Sequence, residues 1–480
     1  MEREKDIFPF NLNDRIVLSP YVRMRRDRTK IAFAYLPHLS LQYTVITPAD
    51  AVVLCLFNGK RTLEDILTLV SLFGKINFES ARQVVSNVMH RVSRDLIAFV
   101  KQDSTISART FLTSAYMIPD NQVDLRTRLD APLTMILQPT SECQTDCVYC
   151  YACRRNVPHN ELLPLSRIQE LLDEAAHIGI YQVNLCGGDG FCRDDFPTII
   201  RECIARDMIV DISTKASISR QMANVLADMR LDYIQVSIDT SCEETADYLY
   251  GVKGHFKKVT ESIRNLMSVG IYTRTNSIVT PYNYEEISYT ISYLKDFGIR
   301  DMKFSPAFRS YYRKNANCML PVEKKNEFKK RMAEIEAENK KQGLSIYYDA
   351  MDDFTEMDSD AKKEYWFSKR PRCSSGRCNL VITPDGKVVP CEEAPQTEEY
   401  FLGDVKKQSI LEVWNSPAMI QFTYPERDKF LSTPCYECAD FIQCVHETGH
   451  CFRDCLKVYG NKYEANPFCP YSHESTNRIY

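Results

Sequence analysis

The sequence predicts an α/β protein in which a parallel sheet follows a small N-terminal module and precedes a cysteine-rich part. Six short apolar segments alternate with helical segments over residues 130–320, a pattern typical of a parallel sheet with right-handed crossovers. Strand and helix signals also occupy residues 1–110, whereas the charged residues 321–370 favour a solvated helical bridge. Residues 371–480 lack regular periodicity and hold nine of the 19 cysteines. We therefore expect four parts with these boundaries.

Composition and charge exclude several classes of protein. A net charge of −4 argues against a nucleic-acid binder that works through bulk positive charge. No apolar run approaches the length of a membrane-spanning helix, and the first ten residues lack the apolar stretch of a signal peptide. We therefore expect a cytoplasmic protein, in which clustered cysteines indicate metal or redox sites rather than disulfides. A secreted disulfide-bonded protein is the less favoured alternative.

The N-terminal module is predicted from two strands and three helices. Alternating apolar residues indicate strands at Arg15–Leu18 and Ile31–Tyr35. Thr47 and Thr62 each precede an acidic residue at the third helical position, which favours a helix start at both places. A third helical segment runs from about Phe78 to Val100. Strands accompanied by three helices predict a winged-helix module.

The central sheet is predicted strand by strand. A helix after the first strand is indicated by a capping box of Ser166 and Gln169 and by Gly179 at its end. Active sites of such sheets lie at the carboxyl ends of the strands, so chemically active residues are expected just after each strand. The predicted strands are Leu133–Gln138, Gln182–Leu185, Met208–Ser213, Tyr233–Ile238, Tyr272–Val279 and Met302–Phe304.

Three cysteines follow the first strand. Cys143, Cys147 and Cys150 lie within eight residues, so their thiolates can hold one face of a four-iron cluster. Three ligands leave one iron open to a small molecule. A structural zinc site is the alternative, with Cys153 as a fourth ligand.

This spacing resembles the Cys-x3-Cys-x2-Cys signature of radical SAM enzymes, in which a partial (β/α)6 barrel carries the cluster. In that family the open iron binds S-adenosylmethionine (SAM), and the reduced cluster cleaves it to a 5′-deoxyadenosyl radical. The resemblance implies catalytic roles for the three cysteines. It also implies SAM contacts at Tyr149, Gly187, Gly188, Asp189, Ser213, Lys215, Ser237, Asp239 and Asn276. Asp189 departs from the glutamate of the family motif and has a shorter reach.

The C-terminal cysteines resemble the SPASM extension of radical SAM peptide-modifying enzymes, which implies two auxiliary [4Fe–4S] clusters and three clusters in all. The first auxiliary set would be Cys373, Cys378, Cys391 and Cys451. The second would be Cys435, Cys438, Cys444 and Cys469. Thr448 stands where the family pattern has a cysteine, and Cys455 is a ninth thiol for eight positions. The assignment of Cys451, Cys455 and Cys469 therefore stays open, and a zinc ribbon is the alternative.

Residues Ala51–Ile66 resemble PqqD-like peptide-recognition modules. Such winged-helix domains bind the leader of a ribosomally made precursor peptide as an added strand. Five basic side chains in the strand region are candidates to meet an acidic leader. They are Arg23, Arg25, Arg26, Arg28 and Lys30.

Together these resemblances imply a radical SAM/SPASM maturase that abstracts a hydrogen atom from a precursor peptide and installs a cross-link, in the first place a Cys thioether. The resemblance also implies an electron donor such as flavodoxin or ferredoxin as a partner. It implies no binding to nucleic acid or to a membrane. The alternatives are a carbon–carbon cross-linking maturase, a sulfatase-maturase-like SPASM oxidase and a non-catalytic zinc-binding interaction protein.

Overall fold

The computed structural model describes residues 9–35, 42–93, 98–103, 109–126, 128–152, 155–313, 315–349 and 358–472. The chain divides into two compact units, Met1–Asp130 and Ala131–Tyr480. In the described residues, no helix has both the length and the apolar character needed to cross a membrane. Cys153, the alternative zinc ligand, lies outside the described residues.

The N-terminal unit contains two three-stranded antiparallel sheets, with strand orders β5-β1-β6 and β2-β3-β4. Thr47 and Thr62 form capping boxes with Asp50 and Asp65, which confirms both predicted helix starts. The described elements are β1 (Arg15–Leu18), β2 (Val22–Arg26), β3 (Ile31–Tyr35), β4 (Gln42–Ile46), α1 (Pro48–Cys55), β5 (Asn58–Thr62), α2 (Leu63–Gly74), α3 (Phe78–Val92) and β6 (Phe99–Lys101).

The third helix is shorter than predicted. It ends at Val92, where Ser93 adopts an extended conformation, and Phe99–Lys101 forms a strand instead. This strand pairs with β1, so a sheet partner distant in sequence overrides the local helical pattern. The unit also continues beyond residue 110, since Tyr116 and Ile118 pack in its core.

Four of the five basic side chains proposed to meet a leader are engaged within the N-terminal unit itself. They are Arg23, Arg25, Arg28 and Lys30. Arg25 pairs with Asp27 at 2.8 Å and Arg28 pairs with Asp130 at 3.1 Å. Lys30 is fully buried. Arg26 and Arg28 are exposed, and Arg28 is already paired with Asp130. The five side chains therefore do not form one open basic face, and their contact with a leader stays a prediction.

The second unit is built on seven parallel strands that lie side by side in sequence order. The first six agree with the predicted strands, with small shifts of their ends. The seven strands are β7 (Thr134–Leu137), β8 (Gln182–Leu185), β9 (Ile209–Thr214), β10 (Tyr233–Ser237), β11 (Tyr272–Val279), β12 (Asp301–Pro306) and β13 (Ser345–Tyr348). The helices along this part are α4 (Leu165–His177), α5 (Phe196–Ala205), α6 (Arg220–Asp228), α7 (Glu243–Tyr250), α8 (His255–Ser268), α9 (Ile287–Asp296), α10 (Val322–Lys340) and α11 (Ser359–Glu364).

Two expectations for this unit are wrong. Residues 321–370 are not only a solvated helical bridge, because α10 buries Phe328 and Met332 in the main core and leads into the seventh strand. The predicted capping box of α4 is absent, because the helix begins earlier, after Pro164, and Ser166 lies inside its first turn. The apolar face of α4 is buried as its spacing predicts.

The cysteine-rich part contributes strands to the same sheet. Strand β14 (Asn379–Ile382) pairs in parallel with β7 and is followed by β15 (Lys387–Val389) and β16 (Gly403–Asp404). Because β15 runs antiparallel to β14, the turn between these two strands lies beside the carboxyl end of β7. The remaining helices are α12 (Ile410–Trp414), α13 (Pro417–Thr423), α14 (Pro434–Glu437) and α15 (Phe452–Tyr459), with π-helical turns at Tyr365–Lys369 and Ile442–Gly449.

Candidate active site

A cavity of about 220 Å³ lies where the parallel strands end. It is lined by residues in or after the carboxyl-terminal halves of six different strands of the sheet. Of the residues that the sequence implied for the first cluster and for SAM, the lining includes Cys143, Cys147, Tyr149, Cys150, Gly187, Gly188, Asp189, Ser213, Lys215, Ser237 and Asn276. Asp239 is the exception and does not line the cavity.

The loop of the first three cysteines is anchored by its backbone. The N–H groups of Asp146 and Val148 donate to the carbonyls of Tyr250 and Leu249 at 2.8 and 3.0 Å. These carbonyls belong to the last turn of α7, whose free acceptors are thereby satisfied. The three thiols are unbridged, and that of Cys147 is buried. The three thiols therefore lie on one anchored loop that lines the cavity, and none of them is held in a disulfide.

Two glycines allow the loop after β8 to pass close to the cysteine loop. Gly187 has φ +112°, and a Cβ there would lie 2.8 Å from Gln138 Cγ. A Cβ on Gly188 would lie 2.5 Å from the Glu142 carbonyl oxygen and 2.6 Å from that of Thr140. Because both contacts are far below van der Waals distance, no larger residue fits without moving the backbone.

Both carboxylate oxygens of Asp189 accept hydrogen bonds from residues of the neighbouring loops. The Thr214 hydroxyl donates to Oδ1 and Oδ2 at 3.0 and 2.8 Å, the Lys215 N–H donates to Oδ2 at 2.9 Å, and the Phe191 N–H donates to Oδ1 at 3.2 Å. Burial raises the pKa of this carboxyl group. Asp189 thus ties the end of β8 to the end of β9.

Lys215 and Asp239 form a buried ion pair behind Tyr149. Lys215 Nζ lies 2.7 Å from Asp239 Oδ2 and donates to the Tyr149 hydroxyl at 2.5 Å. Burial alone would lower the pKa of Lys215, but Asp239 and the neighbouring acidic groups outweigh burial and raise it. The ammonium group also lies 4.0 Å from the centre of the Tyr250 ring. The pair therefore holds Tyr149 in place, and Asp239 lies behind the wall of the cavity.

Glu392, a half-buried acid of the cysteine-rich part, contacts two side chains that line the cavity. Tyr151 and Cys186, which both line the cavity, donate to Glu392 Oε2 at 3.2 and 3.4 Å. Burial raises the pKa of Glu392, and the adjacent Glu393 adds to the effect. Glu392 directly follows Cys391 in the sequence. An acid one residue from a C-terminal cysteine therefore lies directly behind the cavity wall.

The C-terminal cysteines fall into two groups. Burial and then the thiols of Cys469, Cys444 and Cys438 raise the pKa of Cys435 to about 12, so these four lie together. The other five C-terminal cysteines are Cys373, Cys378, Cys391, Cys451 and Cys455.

The other group surrounds Cys373. Burial and then nearby charges, including the Cys373 thiol, raise the pKa of Cys391 to about 12 and that of Cys451 well above its ordinary value. Cys378 is buried five residues after Cys373, and its thiol donates to the Ser374 carbonyl at 3.8 Å. Cys455 is fully buried and its thiol donates to the Glu464 carbonyl at 3.4 Å.

Position 448 explains how the chain departs from the SPASM spacing. The Thr448 carbonyl accepts from the Cys373 N–H at 2.9 Å. The backbone of residue 448, where the family pattern has a cysteine, therefore lies beside Cys373. Gly449 continues this approach, since a Cβ on it would lie 2.6 Å from Cys373 Cβ. The thiol near Cys373 then comes from Cys451, three residues later.

Comparison with protein families identifies both parts of the second unit. The radical SAM superfamily model matches residues 137–294, and the model of the SPASM iron–sulfur cluster-binding domain matches residues 373–439. The chain is a radical SAM/SPASM enzyme. Iron–sulfur clusters and SAM are therefore its cofactors.

Curated relatives of this radical SAM/SPASM enzyme include two PqqA peptide cyclases. The one from Ruegeria pomeroyi is 25% identical over 351 residues, which are 71% of this chain and 87% of that protein. The one from Gluconobacter oxydans is 23% identical over 349 residues, which are 71% and 91% of the two chains.

Solved structures share the fold. Streptococcus suis SuiB bound to S-adenosylmethionine has a TM-score of 0.63 at 14% identity, and covers 96% of this chain and 99% of its own. SuiB bound to precursor peptide SuiA has a TM-score of 0.62 at 15% identity, with the same coverage. At these identities the likeness concerns the fold alone.

The two family models imply iron–sulfur clusters at the thiols of this radical SAM/SPASM enzyme. Among the described residues, no three or more His, Cys, Asp or Glu side chains converge closely enough to hold one metal ion. Zinc would require four ligands around one point. A four-iron cluster gives each thiolate its own iron, so its ligands stand further apart.

Proposed function

We propose that this radical SAM/SPASM enzyme closes a cross-link in a ribosomally made precursor peptide, with a Cys thioether as the bond. The proposal rests above all on Glu392, a half-buried carboxylate that accepts hydrogen bonds from two cavity-lining side chains, Tyr151 and Cys186. The names of the relatives, PqqA peptide cyclase, and the SuiB complex with its precursor peptide support a peptide substrate.

Three [4Fe–4S] clusters would be held by the residues already described. Cys143, Cys147 and Cys150 would hold the first, and the groups around Cys373 and Cys435 would hold the other two. When bound, these cofactors supply a 5′-deoxyadenosyl radical that removes a hydrogen atom and an acceptor for one electron. The glycine loop and the strand ends would position SAM, and Tyr149 would be held against it by Lys215 and Asp239.

Glu392 would take the proton that the cross-link releases. Joining two side chains removes two hydrogens: one leaves as an atom, and the other as a proton with one electron. Glu392 Oε2 already accepts hydrogen bonds at the cavity wall, so it can receive the proton from a thiol or another nucleophile there. Its raised pKa brings it nearer to the pKa of such a group, which favours transfer.

The N-terminal unit would bind the leader of the precursor. Strand β4 lies at one edge of the β2-β3-β4 sheet, the place where an added strand would pair. The arginines do not support recognition by charge, because four of the five basic side chains are engaged within the unit. We therefore propose that backbone pairing, rather than basic side chains, provides the affinity.

Deletion of residues 1–130, which form a compact unit, tests this function. The full chain with SAM, reductant and a leader-bearing precursor should yield a product that is two hydrogens lighter. The truncated chain should cleave SAM but leave that precursor unchanged. Mass spectrometry after alkylation distinguishes the bond, since a thioether removes one alkylatable thiol whereas a carbon–carbon bond does not. Equal turnover by the truncated chain would contradict leader recognition and favour a sulfatase-maturase-like oxidase.

A further inference from the structure

Arg370 holds a fixed position against Cys444. Its Nη2 donates to the Cys444 sulfur at 3.2 Å and to the Cys444 carbonyl at 2.8 Å. Its Nη1 donates to the Gly449 carbonyl at 3.1 Å, and its Nε donates to the Trp366 carbonyl at 2.9 Å. The guanidinium also stacks on the Trp366 indole at 4.1 Å from the ring centroid. Four hydrogen bonds and a stacked ring leave this side chain little freedom.

Trp366, on which Arg370 stacks, carries a second N–H donor beside the guanidinium. Its side chain is buried, and its Nε1 has no hydrogen-bond acceptor within bonding geometry. Burial raises the pKa of Cys444, while the Arg370 charge and the Trp366 indole both oppose that rise. A buried donor without an acceptor is costly, so it is expected to gain one when the site is filled. Cluster-bound sulfur is an acceptor of that kind.

The two groups of C-terminal cysteines, around Cys373 and around Cys435, have different charged neighbours. Near Cys391, Glu393 pairs with Arg453 at 2.6 Å and with Lys457 at 2.5 Å, and Arg453 also pairs with Asp454 at 3.0 Å, so two cations meet two carboxylates there. Near Cys444, the Arg370 guanidinium donates to a sulfur and to backbone carbonyls. The group around Cys435 therefore has a cation in direct contact with one of its sulfurs.

We propose that Arg370 and Trp366 raise the reduction potential of the second auxiliary cluster through N–H···S hydrogen bonds to Cys444. Reduction adds one negative charge to a cluster, and donors that contact its sulfurs stabilise that charge. The first auxiliary cluster, with its balanced neighbours, would keep a lower potential. The second cluster is then the electron acceptor of the pair. This inference rests on the proposed function, because it needs both auxiliary clusters.

The potentials of the auxiliary clusters test the inference directly. The full chain with Cys143, Cys147 and Cys150 replaced by alanine would be reconstituted and titrated electrochemically, with detection by electron paramagnetic resonance. Arg370→Gln should lower the midpoint of one cluster so that its reduced-to-oxidised ratio at fixed potential falls about tenfold, equivalent to about 59 mV. Trp366→Phe should shift the same cluster by less. Arg372→Gln removes a nearby exposed arginine and should shift neither cluster.

Iron content separates the outcomes. Unchanged midpoints in both Arg370→Gln and Trp366→Phe, with iron equal to the parent, would overturn the inference and leave the proposed function standing. If Arg370→Gln binds less iron than the parent, the midpoint potentials of Trp366→Phe decide instead. This variant removes one N–H donor but keeps the hydrogen bonds of the Arg370 guanidinium. Absence of iron from the C-terminal cysteines of the parent protein would instead contradict the proposed function.

Discussion

Replacing Cys147 by alanine is expected to abolish formation of 5′-deoxyadenosine. Cys147 is the buried member of three thiols on an anchored loop, and two remaining cysteines cannot hold the cluster with one open iron. The variant should lose about four irons per chain and retain those of the C-terminal cysteines. Chromatographic assay of 5′-deoxyadenosine after anaerobic incubation with SAM and dithionite measures the loss.

Cys242→Ala provides a matched control. Cys242 is half-buried at the start of α7 and does not line the cavity. This variant should keep its iron and its SAM cleavage. Persistent 5′-deoxyadenosine in Cys147→Ala would mean that another set of cysteines carries the SAM cluster.

Replacing Glu392 by glutamine should separate SAM cleavage from cross-linking. The variant keeps the shape and the hydrogen bonds from Tyr151 and Cys186, but it cannot accept a proton. Cross-link formation should therefore fall about 10²–10⁴-fold, while 5′-deoxyadenosine continues to form. Parallel measurement of product mass and 5′-deoxyadenosine gives the ratio of the two.

The pH dependence provides a second readout for Glu392. A base must be deprotonated to act, and burial raises the pKa of Glu392. The cross-linking rate of the parent should therefore rise with pH through a pKa above that of an ordinary glutamate, and Glu392→Gln should lack this rise. Glu398→Gln, an exposed change on the same segment, should behave like the parent. A Glu392→Gln variant that cross-links at the parental rate would exclude this residue as the base.

Much of the catalytic unit follows from local sequence. Each predicted strand is a short apolar segment, and the carboxyl ends of parallel strands must meet at one edge. This rule alone places Ser213, Ser237 and Asn276 around one cavity. Gly187 and Gly188 are predictable as well. The loop after β8 passes so close to neighbouring residues that a side chain at either position would clash with them.

Contacts distant in sequence account for what the pattern missed. Glu392 meets Tyr151 and Cys186 only through contacts between parts of the chain more than 200 residues apart, and an acid beside a cysteine has no distinguishing spacing. Asp239 and Lys215 each resemble SAM-contacting positions, yet their mutual ion pair depends on the packing of Tyr149 and Tyr250. The sequence leaves the role of Cys451 open, because the π-helical turn at Ile442–Gly449 changes the spacing of the family pattern.

Iron, labile sulfide and zinc per chain, measured after anaerobic purification and reconstitution, test the central claim most directly. Three four-iron clusters predict about twelve irons with as many sulfides and no zinc. Zinc without iron, even after reconstitution, would contradict the account and leave a metal-stabilised binding protein.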